Sequence, residues 1–313
     1  MVWFALGTYG DPANANPALV LGQKVYDMGR AYQAAHPHDE RLPAWLSAGT
    51  DGIIHEWTAV QGKVHALAET VSSLAATGEL EELSDGNDRL LAPLRRERIF
   101  GAAANYIEHA NEMGTILAAK SERNPYFFMK ADSSIIGPGQ TIRLPEQSEM
   151  VDWEIELAAV IGRECRHVDP DAALQYVAGY SVINDISARD LNVRSDYPFK
   201  SDWIQGKCFD TFAPLGPWIV PASCIEDPQA LHLHLSVNEE VMQESSTAEM
   251  IYDVREQIAY LSTILTLRPG DILATGTPTG VGMARGIFLS PGDVITATIE
   301  KIGTLRNPVA AEA

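Results

Sequence analysis

Two carboxylates, Glu154 and Glu156, lie within a stretch that is otherwise patterned as a buried β-strand, VDWEIELAAVIG at 151–162. Side chains alternate across a strand, so both carboxylates point to one face, which continues with Ala158 and Val160. Two like charges are costly to bury, and a bound Mg²⁺, Mn²⁺ or Ca²⁺ ion offsets that cost through oxygen ligands. The alternatives are an edge strand with a solvated polar face and carboxylates neutralised by ion pairs within the protein.

A third carboxylate, Asp185, closes another apolar run, AGYSVIN. If it meets Glu154 and Glu156, the three would present about −3 charge to one divalent ion and leave coordination positions for water and substrate. The alternative is that Asp185 caps a turn or pairs with Arg189.

A candidate general base is His109, which precedes Glu112 by three residues in EHANEMG. On a helix this spacing places both side chains on one side, where the carboxylate orients the imidazole for activating water. The same spacing is also common on solvated surface helices.

Lys130 in FFMKADSS and Lys207 in WIQGKCFD are cations in apolar surroundings. A buried ammonium requires an anionic partner or ligand, whereas a long side chain at the surface reaches solvent.

Two further patterns indicate structure more than chemistry. His232 and His234 alternate with a leucine face, which predicts exposed polar positions on a strand and no metal site. The glycine-rich segment ATGTPTGVGMARG, 274–286, lacks the spacings of phosphate-binding loops, so its glycines predict tight turns. Its free N–H groups and the hydroxyls of Thr275, Thr277 and Thr279 could form a nest for a substrate carboxylate.

The chain of 313 residues carries a formal charge of −19, which argues against nucleic acid and anionic membranes as partners. An acidic substrate would therefore need local positive charge from a metal, lysine or arginine. Three cysteines without a CxxC pair predict free, reduced thiols. The first residues lack the pattern of a signal peptide, and no run of about 18 apolar residues occurs, so we expect a cytoplasmic protein without membrane insertion.

Residues 1–95 are predicted to form a small N-terminal domain. It contains candidate strands at 2–10 and 18–28, a helix at 57–77 and an acidic linker at 78–90. From residue 96 onwards, short apolar strands alternate with glycine and proline turns. This pattern predicts a β-rich α+β fold and not a doubly wound sheet.

Six motifs occur in a fixed order: NYIEHANE, FFMKADSS, VDWEIELAAVIG, NDISARD, GKCFDTFAPLGP and GDILATGTPTGVG. Together they closely resemble the fumarylacetoacetate hydrolase superfamily over roughly residues 97–307. The resemblance implies a mixed β-roll or β-sandwich catalytic domain at 96–313 behind a small N-terminal α/β domain. It also implies a homodimer with one Mg²⁺ or Mn²⁺ per subunit, with Ca²⁺ as a substitute in crystals.

By the same resemblance, the metal ligands are Glu154, Glu156 and Asp185, and the catalytic residues are His109, Glu112 and Lys207. His109 and Glu112 form the water-activating pair, on a segment that acts as a lid in relatives. The substrate-binding residues implied are Arg189, Asn192, Lys130 and Thr277. The chain departs from the family pattern at Asn192, where glutamine is common, and in AAANY, which often reads GLNY.

The expected reaction is metal-dependent hydrolysis of a carbon–carbon bond in a 2,4-diketo acid of the acylpyruvate type, which releases pyruvate or a related 2-oxo acid. The substrate would be a small anionic 2-oxo or 2,4-dioxo acid. Hydration, decarboxylation or keto–enol isomerisation of a 2-oxo acid is the catalytic alternative. A binding or structural protein with a closed Ca²⁺ site is the non-catalytic one.

Overall fold

The computed structural model describes residues 2–83, 86 and 89–312 of the chain. Its strands are β1 (Ala5–Asp11), β2 (Asn14–Leu21), β3 (Lys24–Asp27), β4 (Leu90–Leu91), β5 (Ile99–Ala103), β6 (Tyr126–Lys130), β7 (Ile135–Ile136), β8 (Ile142–Leu144), β9 (Val151–Asp152), β10 (Ile155–Ile161), β11 (Val177–Asn184), β12 (Ser187–Ala188), β13 (Ala213–Pro221), β14 (His232–Val237), β15 (Glu240–Ser246), β16 (Ile272–Ala274), β17 (Val294–Ile299) and β18 (Gly303–Ala311). Its α-helices are α1 (Met28–Ala35), α2 (Ala44–Ser47), α3 (Gly49–His55), α4 (Trp57–Thr77), α5 (Ile107–Glu112), α6 (Trp203–Lys207), α7 (Val254–Ile264) and α8 (Gly282–Arg285). Short 3₁₀ helices lie at Lys120–Glu122, Asp132–Ser134, Pro170–Tyr176, Arg189–Leu191, Ala222–Cys224 and Thr247–Glu249.

Two sheets form the centre of the fold. The larger sheet follows the order β3-β2-β1-β13-β11-β10-β16-β5-β6, with β4 against β1 and β7 against β13. The smaller sheet follows β15-β14-β17-β18-β8, and β12 pairs with β9 alone. Helices accompany these sheets without alternating regularly with their strands, which confirms the predicted β-rich α+β class.

Strand β10 lies between β11 and β16, and every one of its residues is buried. On one face Ile155 and Leu157 join a core with Leu233 of the smaller sheet. On the other face Ala158 and Val160 join a second core, which the N-terminal helices cover. The edge-strand alternative for this segment is therefore wrong.

The predicted strand at 151–162 is interrupted at Trp153 and Glu154, which lie between β9 and β10. The interruption has a local cause in the side chain of Asn184. Its Oδ1 accepts a hydrogen bond from the Glu154 N–H at 2.9 Å, so a side-chain amide replaces a backbone carbonyl in the ladder. The Asp185 N–H still donates to the Glu154 carbonyl at 2.8 Å. The two chain segments therefore remain adjacent across the interruption.

The N-terminal segment is joined to the larger sheet, because β1 pairs with β13 through Leu6 and Ile219. The predicted strand at 18–28 is a hairpin of β2 and β3 that turns at Gly22, whose φ is 63°. The helix predicted at 57–77 is confirmed as α4. The domain boundary after residue 95 stays a prediction, and part of the predicted linker, 84–85 and 87–88, lies outside the described residues.

Two smaller predictions are confirmed. His232 and His234 alternate with buried leucines on β14, and His232 Nε2 lies 3.5 Å from Glu244 on the neighbouring strand β15. The three cysteines are free. Among the helices of the described residues, none has the length and apolarity needed to cross a membrane.

Substitution of Leu67 by alanine tests the packing of α4 on the sheet. Leu67 is buried in the second core, so Leu67→Ala should lower the free energy of unfolding by about 2–5 kcal/mol. The control is Gln61→Ala on the exposed side of the same helix, which should change it by less than about 0.5 kcal/mol. Urea titration followed by circular dichroism measures both. Equal effects of the two variants would contradict the packing described for α4.

Candidate active site

The three predicted carboxylates converge. Ile155 pairs with Asn184 across β10 and β11, and this register brings Glu154 beside Asp185. One oxygen from each of Glu154, Glu156 and Asp185 lies within 4.8 Å of the other two. All three side chains are buried. The adjacency that sequence distance could not show therefore follows from the pairing of two central strands.

Two buried lysines contact this triad. Lys207 Nζ lies 2.6 Å from Glu154 Oε2 and 2.6 Å from Asp185 Oδ2. Lys130 Nζ lies 2.5 Å from Asp185 Oδ1 and donates to the carbonyl oxygen of Ile186 at 3.0 Å. Both ammonium groups thus have anionic partners inside the protein, and neither reaches solvent.

Arg189 approaches the triad from the other side. Its Nε donates to Asp152 Oδ2 at 2.8 Å, and its Nη2 lies 2.6 Å from Glu154 Oε1, without the angle of a hydrogen bond. Asp185 does not pair with Arg189, because its carboxylate is occupied by Lys130 and Lys207. The suggested pairing of Asp185 with Arg189 is therefore wrong.

The pKa shifts separate Glu154 from Glu156. Burial disfavours ionisation of Glu154, but the charges of Arg189 and Lys207 outweigh it and hold the pKa of Glu154 well below its usual value. Burial, together with the charges of Asp185 and Glu154, raises the pKa of Glu156 well above its usual value. Within the described residues, the hydrogen-bond donor to Glu156 is the Gly276 N–H at 2.8 Å.

The two lysines shift in opposite directions. Burial lowers the pKa of Lys130, and the charge of Lys207 acts in the same sense against the attraction of Asp185. Lys207 is equally buried, but Asp185 and Glu154 together overcome the desolvation and raise its pKa. Lys207 therefore retains its positive charge beside the triad.

The donor set fits a hard divalent cation. Four buried carboxylates, those of Asp152, Glu154, Glu156 and Asp185, face three buried cations, those of Lys130, Lys207 and Arg189. One carboxylate is therefore left without a cationic partner. The raised pKa of Glu156 indicates that this residue is the unpaired carboxylate. Clustered carboxylate oxygens are ligands for Mg²⁺ or Mn²⁺, and such an ion would keep Glu156 ionised.

The predicted pair on α5 is present. His109 Nδ1 lies 2.9 Å from Glu112 Oε1, and His109 is buried. Burial disfavours ionisation of Glu112, but hydrogen bonds from His109, the Gly280 N–H and the Thr279 hydroxyl lower its pKa below the usual value. An ionised carboxylate only accepts hydrogen bonds, so Nδ1 of His109 carries a proton and Nε2 is the ring nitrogen that could serve as a base.

The glycine-rich segment binds carboxylates through its backbone, as its pattern predicted, but the carboxylates belong to the protein. Its N–H groups donate at Gly276 to Glu156 (2.8 Å), at Gly280 to Glu112 (2.9 Å), at Gly282 to Asp152 (2.7 Å) and at Met283 to Asp152 (3.0 Å). Gly280 has a φ of +103°, and a Cβ there would lie 2.1 Å from the carbonyl oxygen of Met242. A side chain at that position would displace the segment from Glu112.

The hydroxyls of the same segment are also engaged. Thr275 donates to the carbonyl of Leu157 at 2.8 Å, and Thr277 donates to the carbonyl of Ile155 at 2.9 Å. Thr279 donates to Glu112 Oε2 at 2.7 Å. The predicted contact of Thr277 with substrate stays a prediction, and its hydroxyl proton is already donated to the sheet.

A cavity of about 250 Å³ opens over the triad. Seven of the predicted site residues line it: His109, Glu154, Glu156, Arg189, Asn192, Lys207 and Thr277. Lys130, Asp185 and Glu112 are not part of the wall. Asp185 and Glu112 contact the wall residues Lys207 and His109, and Lys130 contacts Asp185. The rest of the wall is mostly apolar and includes Ala102, Ala103, Phe128 and Trp203.

Sequence reasoning missed Asp152 and Asn184, whose side chains hold Arg189 and the Glu154 backbone. It named the Thr279 hydroxyl as a possible contact for a substrate carboxylate, whereas this hydroxyl donates to Glu112. A signal existed for Asp152, because it continues the two-residue period of Glu154 and Glu156. No comparable signal marks Asn184, whose role depends on a local interruption of pairing.

Residues 98–310 match the family model described as fumarylacetoacetate (FAA) hydrolase C-terminal. An oxaloacetate tautomerase from Rattus norvegicus, named as mitochondrial, is 40% identical over 245 residues, which are 77% of this chain and 76% of the relative. A 2,4-didehydro-3-deoxy-L-rhamnonate hydrolase from Sphingomonas sp. (strain SKA58) is 40% identical over 249 residues, 77% of this chain and 85% of the relative.

Among solved structures, maleylpyruvate hydrolase from Sphingobium sp. SYK-6, in complex with manganese (II) ion and pyruvate, is similar over 99% of this chain and 100% of its own. The TM-score is 0.72 at 26% sequence identity. The structural likeness spans the whole chain, and the family model covers the carboxylate triad, the pair on α5 and the glycine-rich segment. The chain belongs to the fumarylacetoacetate hydrolase family.

Proposed function

We propose that this protein hydrolyses a carbon–carbon bond in a 2,4-diketo acid of the acylpyruvate type. The observation that carries the proposal is that His109, with its oriented imidazole, lines the same cavity as Glu154, Glu156 and Lys207. Support also comes from the relatives, two of which are named as hydrolases of a keto-sugar acid and of maleylpyruvate.

Glu154, Glu156 and Asp185 would hold the metal ion, which we propose to be Mg²⁺ or Mn²⁺. When bound, such an ion supplies Lewis-acid polarisation of substrate oxygens. Arg189 adds a fixed positive charge to the wall beside Glu154, which favours the carboxylate end of the substrate. Together these charges would let an acidic protein bind an acidic substrate.

His109 would act as the general base. Its Nε2 accepts a proton from water while Glu112 stabilises the imidazolium through Nδ1. The oxygen of that water forms a bond to the distal carbonyl carbon, and the bond between this carbon and the adjacent methylene then breaks. The electron pair passes into the enolate of pyruvate, which takes up a proton to give pyruvate beside the released carboxylic acid.

Lys207 would stabilise the negative charge that develops on the enolate oxygen. Its ammonium lies in the wall between Glu154 and Asp185, and its raised pKa keeps it protonated. A buried cation of fixed position stabilises a developing anion more strongly than water does.

A second candidate is keto–enol isomerisation of a 2-oxo acid, which the 40% identity to an oxaloacetate tautomerase favours. The same base and cation would move a proton between carbon and oxygen without attack by water. Chromatography of products separates the two, since hydrolysis yields two acids and isomerisation yields one. Hydration and decarboxylation of 2-oxo acids are detected in the same assay.

The homodimeric state and the cytoplasmic location stay predictions. The rat relative is named as mitochondrial, so the location does not follow from the family. From the proposed substrate class we expect the binding partner to be a small anionic acid.

Replacement of His109 tests the base. His109→Ala should lower kcat for acylpyruvate hydrolysis by about 10²- to 10⁴-fold, because general-base catalysis is lost. Glu108→Ala on the exposed side of the same helix is the matched control and should retain activity. Steady-state release of pyruvate measures both, and near-wild-type activity of His109→Ala would exclude this residue as the base.

The Thr279 hydroxyl can be tested by two variants of similar size. Thr279→Val removes the donor to Glu112 and should lower kcat by about tenfold with little change in KM, since one hydrogen bond to a charged group is lost. Thr279→Ser keeps the donor and should restore most of the activity. If valine and serine give the same kcat, Thr279 does not position the pair.

Glu156→Gln tests the metal ligands by calorimetric titration with Mg²⁺. We expect affinity to fall more than about 100-fold, whereas Glu239→Gln at an exposed position should bind normally. In the wild type, affinity should rise with pH up to the raised pKa of Glu156, because binding displaces its proton.

Glu156→Gln should weaken Mg²⁺ binding but increase the free energy of unfolding of the metal-free protein. The folded pKa of Glu156 exceeds its unfolded value, so ionisation of Glu156 opposes folding as pH rises above about 4.3. Glu156→Gln should therefore be harder to unfold with urea at neutral pH in the presence of a chelator. Unchanged Mg²⁺ affinity, or a loss of stability in chelator, would argue against this account of the triad.

A further inference from the structure

Apart from its charged residues, most of the cavity wall is apolar. Ala102 and Ala103 at the end of β5, Met113 after α5, and the rings of Phe128 and Trp203 line it. In a substrate whose 2-oxo acid end lies at the triad, the acyl tail would contact this wall.

The aromatic part of the wall is fixed in place. The rings of Phe128 and Trp203 are stacked with centroids 4.9 Å apart and planes at 9°. On its other side the Phe128 ring covers Gly101, where a Cβ would lie 2.4 Å from the ring. Lys207 Nζ lies 5.1 Å from the centre of the same ring, at the boundary between the charged and apolar parts of the cavity.

The permanent cations among the described wall residues are Arg189 and Lys207, and both contact the carboxylate cluster. Arg194, two residues beyond Asn192, is a further nearby cation in the chain. Its guanidinium is engaged by Asp196 and Asp202. No cation among the described residues of the wall is therefore placed to receive a second carboxylate at the tail end.

We propose that the substrate of this site carries one carboxylate and that its acyl tail is uncharged. The inference rests on the proposed function, since it assumes a 2-oxo acid at the triad. A second carboxylate on the tail would lose hydration against alanine, methionine and aromatic side chains without gaining a cationic partner. An alkyl tail of the same length would gain from burial there.

A binding experiment tests the tail without turnover. The Mg²⁺-loaded full chain is titrated calorimetrically with 2-oxopentanoate and with 2-oxoglutarate, which differ by a methyl and a carboxylate at the far end. We expect 2-oxopentanoate to bind at least about tenfold more tightly. Equal or tighter binding of 2-oxoglutarate would overturn the inference.

Turnover gives the second measurement. Butanoylpyruvate, succinylpyruvate and the neutral terminal amide of succinylpyruvate are compared by kcat/KM. The inference predicts that butanoylpyruvate and the amide both exceed succinylpyruvate by about tenfold or more, with the amide as the control for size. If the amide is as poor as succinylpyruvate, size and not charge decides, and the inference is wrong.

A variant can reverse the preference. Val193 lines the cavity and is 69% exposed, so longer side chains fit there without displacing the core. Val193→Arg should raise the ratio of succinylpyruvate to butanoylpyruvate turnover about fivefold or more over Val193→Gln, an unbranched polar side chain without charge. Hydrolysis of none of the three compounds would overturn the proposed function, whereas the calorimetric ratio would still decide the nature of the tail.

Discussion

The burial of several like charges in the centre of a sheet is the constraint on which the rest of this structure depends. Glu154, Glu156 and Asp185 lie where neighbouring strands would ordinarily bring apolar residues together. Isolated carboxylates in such a place would take up protons or open the structure. The protein instead surrounds them and the neighbouring Asp152 with two lysines and an arginine. These four carboxylates exceed the three cations by one charge, which a bound divalent ion would offset.

The glycine-rich segment connects this cluster to the pair formed by His109 and Glu112. Its successive N–H groups donate hydrogen bonds to Glu156, Glu112 and Asp152. Glu156 belongs to the triad, Glu112 contacts the proposed base, and Asp152 supports Arg189. Backbone donors have fixed directions, so a single short segment sets the relative positions of three groups with different roles. Glycine is required at Gly280 because the segment approaches another backbone closely there.

Much of this arrangement could be predicted from the sequence, because the main signals are local. Each of these signals reflects one regular element. They are the period of two in VDWEIELAAVIG, the three-residue spacing of His109 and Glu112, and the apolar stripe of α4. The convergence of Asp185 with Glu154 was implied only by the family resemblance and by no local pattern, since it depends on the register between two strands. Interactions made by single side chains at irregular backbone were also hidden, as for Asn184 and Thr279.

The face of β10 that ends in Glu154 and Glu156 continues as Ala158 and Val160 beneath the N-terminal helices. The family model matches the chain only from residue 98, after those helices. A polypeptide cut at that point would keep every proposed ligand and the proposed base, yet it would expose one side of its central sheet to water. The similarity to known relatives extends further, since the rat oxaloacetate tautomerase matches 77% of this chain. Transplanting the chemistry of this site into another protein would require a replacement cover for that face.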